Sequence, residues 1–410
     1  MTVPADTSAS EAASAGSPTR RAYLDHASTS PLRPAAADAI RDALDAGPAG
    51  PLAGDPGRIH QEGMAARVAL EQARDAVAAA FGARGREVVF TSGATESIAA
   101  ATWGARARHA DRHGAGSPGH VVLAAVEHSA VREWAARGPA TVVGVDGTGR
   151  VDPDELLDAV TERTCLVHLQ WGNHEVGTLQ PVTEVVAACR ERGVLVHVDA
   201  AQAAGQVPVD FGALGADLMS ISGHKFGGPT GTGVLLVRRG VRVPPLVVGG
   251  DQERARRAGV ENVLGAIGLA AAAADLDRGA GPADLAAAEP RARALTGRIR
   301  DWAAGDGATV GIDVVGAAAE TSLPHIVCLT FPDVEPQPVL LGLDAAGVSV
   351  HSGSSCSSES LEPSPVLEAM GVDAQRSLRV SVGWSSTVED VDRFLDALPR
   401  VLDGLRSLRA

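Results

Sequence analysis

Lysine is almost missing from this chain. Lysine and arginine together number 36 in 410 residues, and Lys225 is the only lysine. Arginine stays protonated at any usable pH and cannot supply a free amine. A partly desolvated lysine can lose its proton and attack a carbonyl. A compositional pressure that traded lysine for arginine everywhere else has left this one in place. Counting alone leaves open that it is a chance survivor. Its flanks, Ser222-Gly-His before it and Gly227-Gly-Pro after it, sit between an apolar run and a glycine-rich turn. That setting favours an amine kept for covalent work.

Positive charge is short overall. The formal net charge of −14 excludes nucleic acid as the main direct ligand, because phosphate backbones are bound by basic faces. No apolar run approaches the roughly 20 residues that cross a bilayer, so no membrane contact is expected. Residues 1–19 lack the basic start and apolar centre of a secretory signal and read as a disordered tail rich in Ala, Ser and Thr. A cytoplasmic protein is the expectation. Cysteine is scarce too. Cys165, Cys189, Cys328 and Cys356 form no Cys-x-x-Cys pair, which argues against a zinc site. A reducing compartment also disfavours disulfides.

The chain does hold enough apolar sequence, 45% of its residues, for about two or three domains. Short apolar runs fall at 87–91, 121–126, 141–145, 165–170, 194–199, 218–221 and 233–237, with helical stretches between them, among them 153–161 and 181–192. Runs of this kind are strands buried on both faces. They predict an α/β fold, a large domain with a mostly parallel seven-stranded-type sheet flanked by helices. From residue 263 the pattern changes. An alanine-rich helical stretch over 263–304, broken near Gly279-Ala-Gly-Pro, precedes strand-like runs at 309–315, 325–331, 347–350 and 377–383. Helices are expected near 337–345 and 364–370, with a last one from Val388. The expected division is a tail over 1–19, a large domain over 20–262 and a smaller α+β domain over 263–410. The Pro- and Gly-rich segment 20–62 is expected to wrap the surface.

Ligands of open parallel sheets sit at the carboxyl ends of the strands, and the polar residues gather there. Ser92-Gly93-Ala94-Thr95 lies between a strand and a helix, where backbone N–H groups and the Thr95 hydroxyl could hold a phosphate. The same residues would also make an ordinary helix cap. Asp199 ends a buried strand, and a buried carboxylate needs a partner. A pyridinium nitrogen is one such partner; a helix N-cap is the plainer alternative. Ser222 and His224, beside Lys225, could both reach a phosphate. His128 follows a strand and could cover a ring, or could be an ordinary satisfied histidine. An amine, a carboxylate, a phosphate cup and a ring-covering group converge on pyridoxal 5′-phosphate.

Eight blocks recur in a familiar order: Gly54-Asp-Pro-Gly-Arg-Ile-His, Phe90-Thr-Ser-Gly-Ala-Thr-Glu-Ser, Glu127-His-Ser-Ala, Asn173-His-Glu-Val-Gly, His197-Val-Asp-Ala-Ala-Gln, Ser222-Gly-His-Lys, Gln252-Glu-Arg and Ser352-Gly-Ser-Ser-Cys-Ser-Ser. In these blocks, and from Tyr23 to about Asp392, the chain resembles the class V aminotransferases of the fold type I pyridoxal-phosphate enzymes. Among them it resembles the cysteine desulfurases, and specifically the subgroup with a long flexible cysteine loop. The resemblance implies a cofactor bound through Lys225, with Asp199 on the pyridine nitrogen, Gln202 and His174 on the side of the phenolate oxygen, and His128 over the ring and moving protons. It places Ala94, Thr95, Ser222 and His224 around the phosphate. It gives substrate binding to Asn173 and to Arg379, whose fork suits a carboxylate.

Cys356 stands among small polar residues, which reads as an exposed thiol on a mobile loop; the other three cysteines sit in apolar runs and read as core. The resemblance makes Cys356 the group that takes sulfur from L-cysteine, releases L-alanine and keeps a persulfide. The loop would carry that sulfur to an acceptor protein, a scaffold, thiolase or carrier. Iron–sulfur cluster assembly, tRNA thiolation, DNA sulfur modification and biosynthetic sulfur carriers are all open destinations, and a homodimer is implied. The chain departs from the family pattern in four places. His174 replaces a second asparagine. Arg257-Ala-Gly-Val260 ends where a threonine reaches the neighbouring subunit's phosphate. Thr230 and Trp384 replace a frequent lysine and a frequent arginine. Two other classes therefore stay in view: an aminotransferase or β-eliminating lyase for another amino acid, and a sulfur carrier without cofactor.

Overall fold

After a short strand β1 (Ala22–Tyr23), the apolar runs become β2 (Val88–Thr91), β3 (His120–Ala124), β4 (Ala140–Val143), β5 (Thr164–Gln170), β6 (Leu195–Asp199), β7 (Leu218–Ser222) and β8 (Gly233–Val237). The structure is a computed structural model that describes residues 20–114, 116–276, 282–352, 363–373 and 375–408. The seven strands from β2 to β8 form one sheet in the order β2-β8-β7-β6-β5-β3-β4. From β7 to β4 the pairing is parallel, and β8 runs antiparallel to both its neighbours. Every residue of β5, β7 and β8 is buried, the condition that lets unbroken Val, Leu and Ile runs form strands covered on both faces. The expected α/β fold is the one observed. Val126 and Val145, expected inside strands, leave the ladder but stay packed on the same core.

The helices α1 (Pro34–Asp45), α2 (Gln61–Ala80), α3 (Ala94–His113) and α4 (Ser129–Ala135) follow. Both α1 and α2 pack on the helix Val263–Asp275. The segment 20–62 does not simply wrap the surface. Ala22, Leu24 and Ala27 are buried, because small apolar side chains there enter the core, and α1 turns Ala36 and Ala43 inward.

Beyond residue 263 come the helix Pro282–Trp302, β9 (Asp313–Val315), β10 (Ile326–Thr330), β11 (Val348–Ser349), β12 (Ser377–Ser381) and the helix Val388–Ser407. The order β12-β10-β9 is antiparallel, and β1 pairs in parallel with β11. Ala22 and Leu24 thereby join a second core with Val327, Leu329, Val380 and Phe394. The strand expected over 309–315 forms only from Asp313, since Ala303–Gly307 is a π-helical turn and Gly311 adopts φ 78°. The tail 1–19 and the break expected at Gly279 lie outside the described residues. Among the described residues no helix is long and apolar enough to cross a membrane.

Candidate active site

The carboxyl ends of β5, β6 and β7, the amino end of α3 and the turn at Ala27-Ser28 enclose a cavity of about 430 Å³. Ala94, Thr95, His128, His174, Asp199, Gln202, Ser222, His224, Lys225 and Arg379 all line it. Residues spread over nearly 300 positions meet because a parallel sheet delivers each strand end to one edge.

Lys225 closes a three-residue 3-10 turn, Gly223–Lys225, directly after β7. Its Nζ donates to Ala27 O at 2.6 Å and Ser28 O at 3.0 Å, which ties the N-terminal segment to the cavity wall. Asp199 accepts one hydrogen bond, from Ala201 N at 3.0 Å. Burial raises its pKa against the opposing pull of that bond, His128 and Lys225. A carboxylate in that condition is suited to a cationic partner. Gln202 is oriented by two neighbours: its Nε2 donates to Ala27 O at 2.8 Å, and its Oε1 lies 3.3 Å from His325 Nε2. His325 therefore donates through Nε2, and its Nδ1 is left buried without a partner.

The amino end of α3 has no side-chain cap, because Gly93 occupies that position with φ 155° and ψ 178°. Glycine is needed there: the conformation is closed to other residues, and an added Cβ would stand 3.9 Å from Ser222 Oγ, inside the cradle. The first N–H groups of α3 are thus open to an anion. His224 Nδ1 lies 3.2 Å from Thr29 Oγ1. Burial, and next Lys225, push its pKa down to about 4, so it is neutral at pH 7.

His128 Nδ1 accepts from Ala130 N at 3.1 Å, so the ring proton of the neutral form sits on Nε2. Its ring meets His174 edge to face at 5.2 Å. His174 Nε2 lies 3.5 Å from Glu175 Oε1, its Nδ1 is buried without a partner, and burial pushes its pKa to about 4. Arg379 is fully buried. Nη1 donates to His174 O at 2.7 Å, and Nη2 donates to Asp25 Oδ1 at 3.1 Å and Ser28 Oγ at 2.6 Å. Its Nε has no partner.

Among the described residues, one expected residue, Asn173, does not line the cavity. Asn173 spends its amide locally, with Oδ1 accepting from Glu175 N and Val176 N and Nδ2 donating to Val126 O. Cys356 lies outside the described residues. The chain on either side of 353–362 is anchored to the cavity wall: His351 exchanges backbone hydrogen bonds with Arg379, and Ser364 Oγ donates to Glu175. The remaining cysteines are buried as expected, and burial pushes Cys165 and Cys189 up to about 11 and Cys328 to about 12.

A polar layer behind the cavity was missed from the sequence. Thr102 Oγ1 donates to Ile98 O at 2.8 Å and so must accept from His168 Nε2 at 3.0 Å. His168 Nδ1 then accepts from His197 Nδ1 at 2.9 Å, and His197 Nε2 accepts from Ser220 Oγ at 2.6 Å. Both imidazoles are neutral and hold opposite tautomers. The signal was available: His168, His197 and Ser220 each stand two residues before a cavity residue (Gln170, Asp199 and Ser222), hence on the same sheet face. Glu127 was also passed over. Its Oε1 accepts from Gln170 N at 2.8 Å, its Oε2 has no partner, and burial, with a smaller push from Asp199, raises it to about 8.

This donor set fits pyridoxal 5′-phosphate. The uncapped helix end and glycine cradle match a phosphate, the underpaired Asp199 matches a pyridinium, and Lys225 supplies an amine between them. The known proteins agree. The Aminotransferase class-V family pattern matches residues 22–394. "Cysteine desulfurase IscS" of Dictyoglomus turgidum is 37% identical over 95% of this chain and 96% of its own length. "IscS-like cysteine desulfurase" of Mycobacterium tuberculosis is 39% identical over 92% of this chain and 95% of its own. Among solved structures, a "NIFS-LIKE PROTEIN" superposes with a TM-score of 0.82 at 30% identity, covering 93% of this chain and 99% of that one. DndA from Streptomyces lividans superposes with a TM-score of 0.70 at 34% identity, covering 88% and 99%. By sequence along almost its whole length and by the build of its cavity, this chain belongs to the class V aminotransferase family.

Proposed function

We propose that the protein is a pyridoxal 5′-phosphate-dependent L-cysteine desulfurase. The observation that carries the reading is the meeting of the chain's single lysine and the buried Asp199 in one cavity. The names of the relatives supply the substrate. When bound, the cofactor supplies an electron-withdrawing ring that stabilises negative charge on the carbon beside the amino group. Lys225, on the cavity wall, would be the covalent anchor for its aldehyde and would supply a base there. Asp199 would keep a proton on the ring nitrogen, and Gln202, oriented by Ala27 O and His325, would bond the ring oxygen. The N–H groups of Ala94 and Thr95, with Ser222 and His224, would hold the phosphate. His128 covers the ring with its protonated Nε2, and His174 stands beside it. Arg379, on the cavity wall, would secure the substrate carboxylate.

Cys356 then takes the sulfur. Its thiolate attacks the sulfur of L-cysteine, the S–S bond forms as the C–S bond breaks, and the carbon gains a proton to leave as L-alanine. Thiol plus cysteine becomes persulfide plus alanine, so no oxidant is required. The persulfide passes its outer sulfur to an acceptor protein. A cytoplasmic homodimer serving iron–sulfur assembly, with tRNA thiolation as a further outlet, completes the proposal; the IscS names of the relatives support the first outlet.

The test is chemical. With L-cysteine and a thiol reductant, the purified protein yields alanine and sulfide in equal amounts. Cys356→Ala keeps the visible cofactor absorbance and loses sulfide production. Undiminished desulfuration by that variant, or a keto acid in place of alanine, would contradict the reading.

A further inference from the structure

The opposite end of the sheet carries a second, basic cavity. It measures about 360 Å³ and lies where the last turns of α3 pass the amino ends of β5 and β6. We propose that this cavity binds a small, multiply charged oxyanion: a phosphate group, free or carried by a nucleotide.

The sequence of α3 ends Arg108-His-Ala-Asp-Arg-His113. Arg108 and Arg112 are four apart, as are His109 and His113, so each pair shares a helix face. All four line the cavity, joined by Arg192 from the far side, and Glu162 is its one acidic lining residue. The two imidazoles stack with centroids 4.4 Å apart. Like charges at this spacing oppose helix formation: burial, and next Arg112, push the Arg108 guanidinium below its usual range, against a smaller opposing pull from Asp217.

Arg106 shows how this chain uses a structural arginine. Its fork donates to Gly119 O, Trp134 O, Ala135 O and Pro139 O. Arg108, two residues on, makes no such bonds, and its Nη1 is buried without a partner. Buried donors are normally satisfied, and a guanidinium fork is matched by the oxygens of phosphate or carboxylate. Arg192 spends Nη1 on Leu157 O at 2.6 Å and so is fixed in place at the rim. Three guanidinium groups converging on one cavity favour an anion of more than one charge. Size and field set the class. The volume is near the lower end of small-ligand sites, about 300–1,000 Å³, and the net charge of −14 repels a nucleic-acid strand while a local basic cavity still admits a small anion.

The proposal is independent of the desulfurase reading, and its test uses the protein with cofactor bound, so that the phosphate cradle at α3's amino end is already filled. Inorganic phosphate is titrated by calorimetry against chloride at matched ionic strength, with cofactor absorbance followed in parallel. The expected result is saturable one-to-one binding at constant absorbance, weakened by about tenfold or more in Arg108→Gln/Arg112→Gln through the lost charged hydrogen bonds. In the ATP arm, tighter arginine-dependent binding identifies a nucleotide as the source; affinity no better than phosphate identifies the free oxyanion. Should the double variant misfold by circular dichroism, Arg112→Gln alone, at an exposed position, carries the comparison. Heats equal to those of chloride, wild-type affinity in the folded variant, or an absorbance change that tracks phosphate would overturn the proposal.

Discussion

Acidification from pH 7 to pH 5 should destabilise this protein through its buried histidines. His197 and His325 are held near pH 3 and His174 near pH 4, all by burial, and His168 is pushed well below its ordinary 6.5. A histidine depressed in the folded state contributes its full stability above 6.5 and loses it as pH falls toward the folded value. At pH 5 the protons excluded by His197, His325 and His174 each cost the folded state roughly 2 kcal/mol, roughly 6 kcal/mol together, and His168 and His26 act in the same sense. Glu127 and Asp199, raised by burial, act in the other sense. Glu127, near 8, costs stability at pH 7 and returns roughly 2.5 kcal/mol by pH 5. The net loss from these groups, roughly 3.5 kcal/mol before His168 and His26 add to it, is a large fraction of the whole stability of many domains, about 5–15 kcal/mol. The clean perturbation is His325→Asn, which removes one of these protons. Urea unfolding of both proteins at pH 7, 6 and 5 measures it. The variant should lose roughly 2 kcal/mol less than the wild type across that range. Equal losses in the two proteins would refute the assignment of His325 as a neutral, proton-excluding group.

Three other outcomes follow from the same geometry. Asp199→Asn removes the charge that holds a proton on the ring nitrogen; kcat should fall about 100-fold with little change in KM, and steady-state kinetics at saturating cofactor check it. Gly93→Ala forces a Cβ into a conformation at φ 155°, at a cost of about 1–3 kcal/mol; thermal unfolding and cofactor affinity should both decline. His168 and His197 should give nitrogen NMR shifts of two neutral rings with opposite tautomers, and His168→Phe should abolish the His197 pattern while costing about 1–3 kcal/mol for the stranded donor.

Much of the site was legible because its chemistry is local in sequence. Lys225 stood out as the one amine, and the residues after each buried strand had to reach the same edge of a parallel sheet, so Asp199, Ser222 and Thr95 could be grouped before any coordinates. The start of the chain was less legible. Ala22 and Leu24 look like ordinary loop residues among prolines, and only the pairing of β1 with β11 puts them in a core. His325 and the His168–His197 pair were hidden for a related reason. Each lies inside an apolar run, where a histidine's role depends on partners from distant strands and from α3. Asn173 shows the converse: its motif suggested a ligand, whereas its amide closes the turn that follows β5. The basic cavity escaped notice because an arginine-rich sequence gives no sign of which guanidinium lacks an acceptor.

The account depends on the amine of residue 225 carrying the cofactor. Borohydride reduction of the purified protein, followed by proteolysis and mass mapping, reads this without any turnover. The account predicts one reduced pyridoxyl phosphate per chain on the peptide containing Lys225, and none on Lys225→Ala. An unlabelled Lys225 peptide in protein that retains the visible chromophore would contradict it.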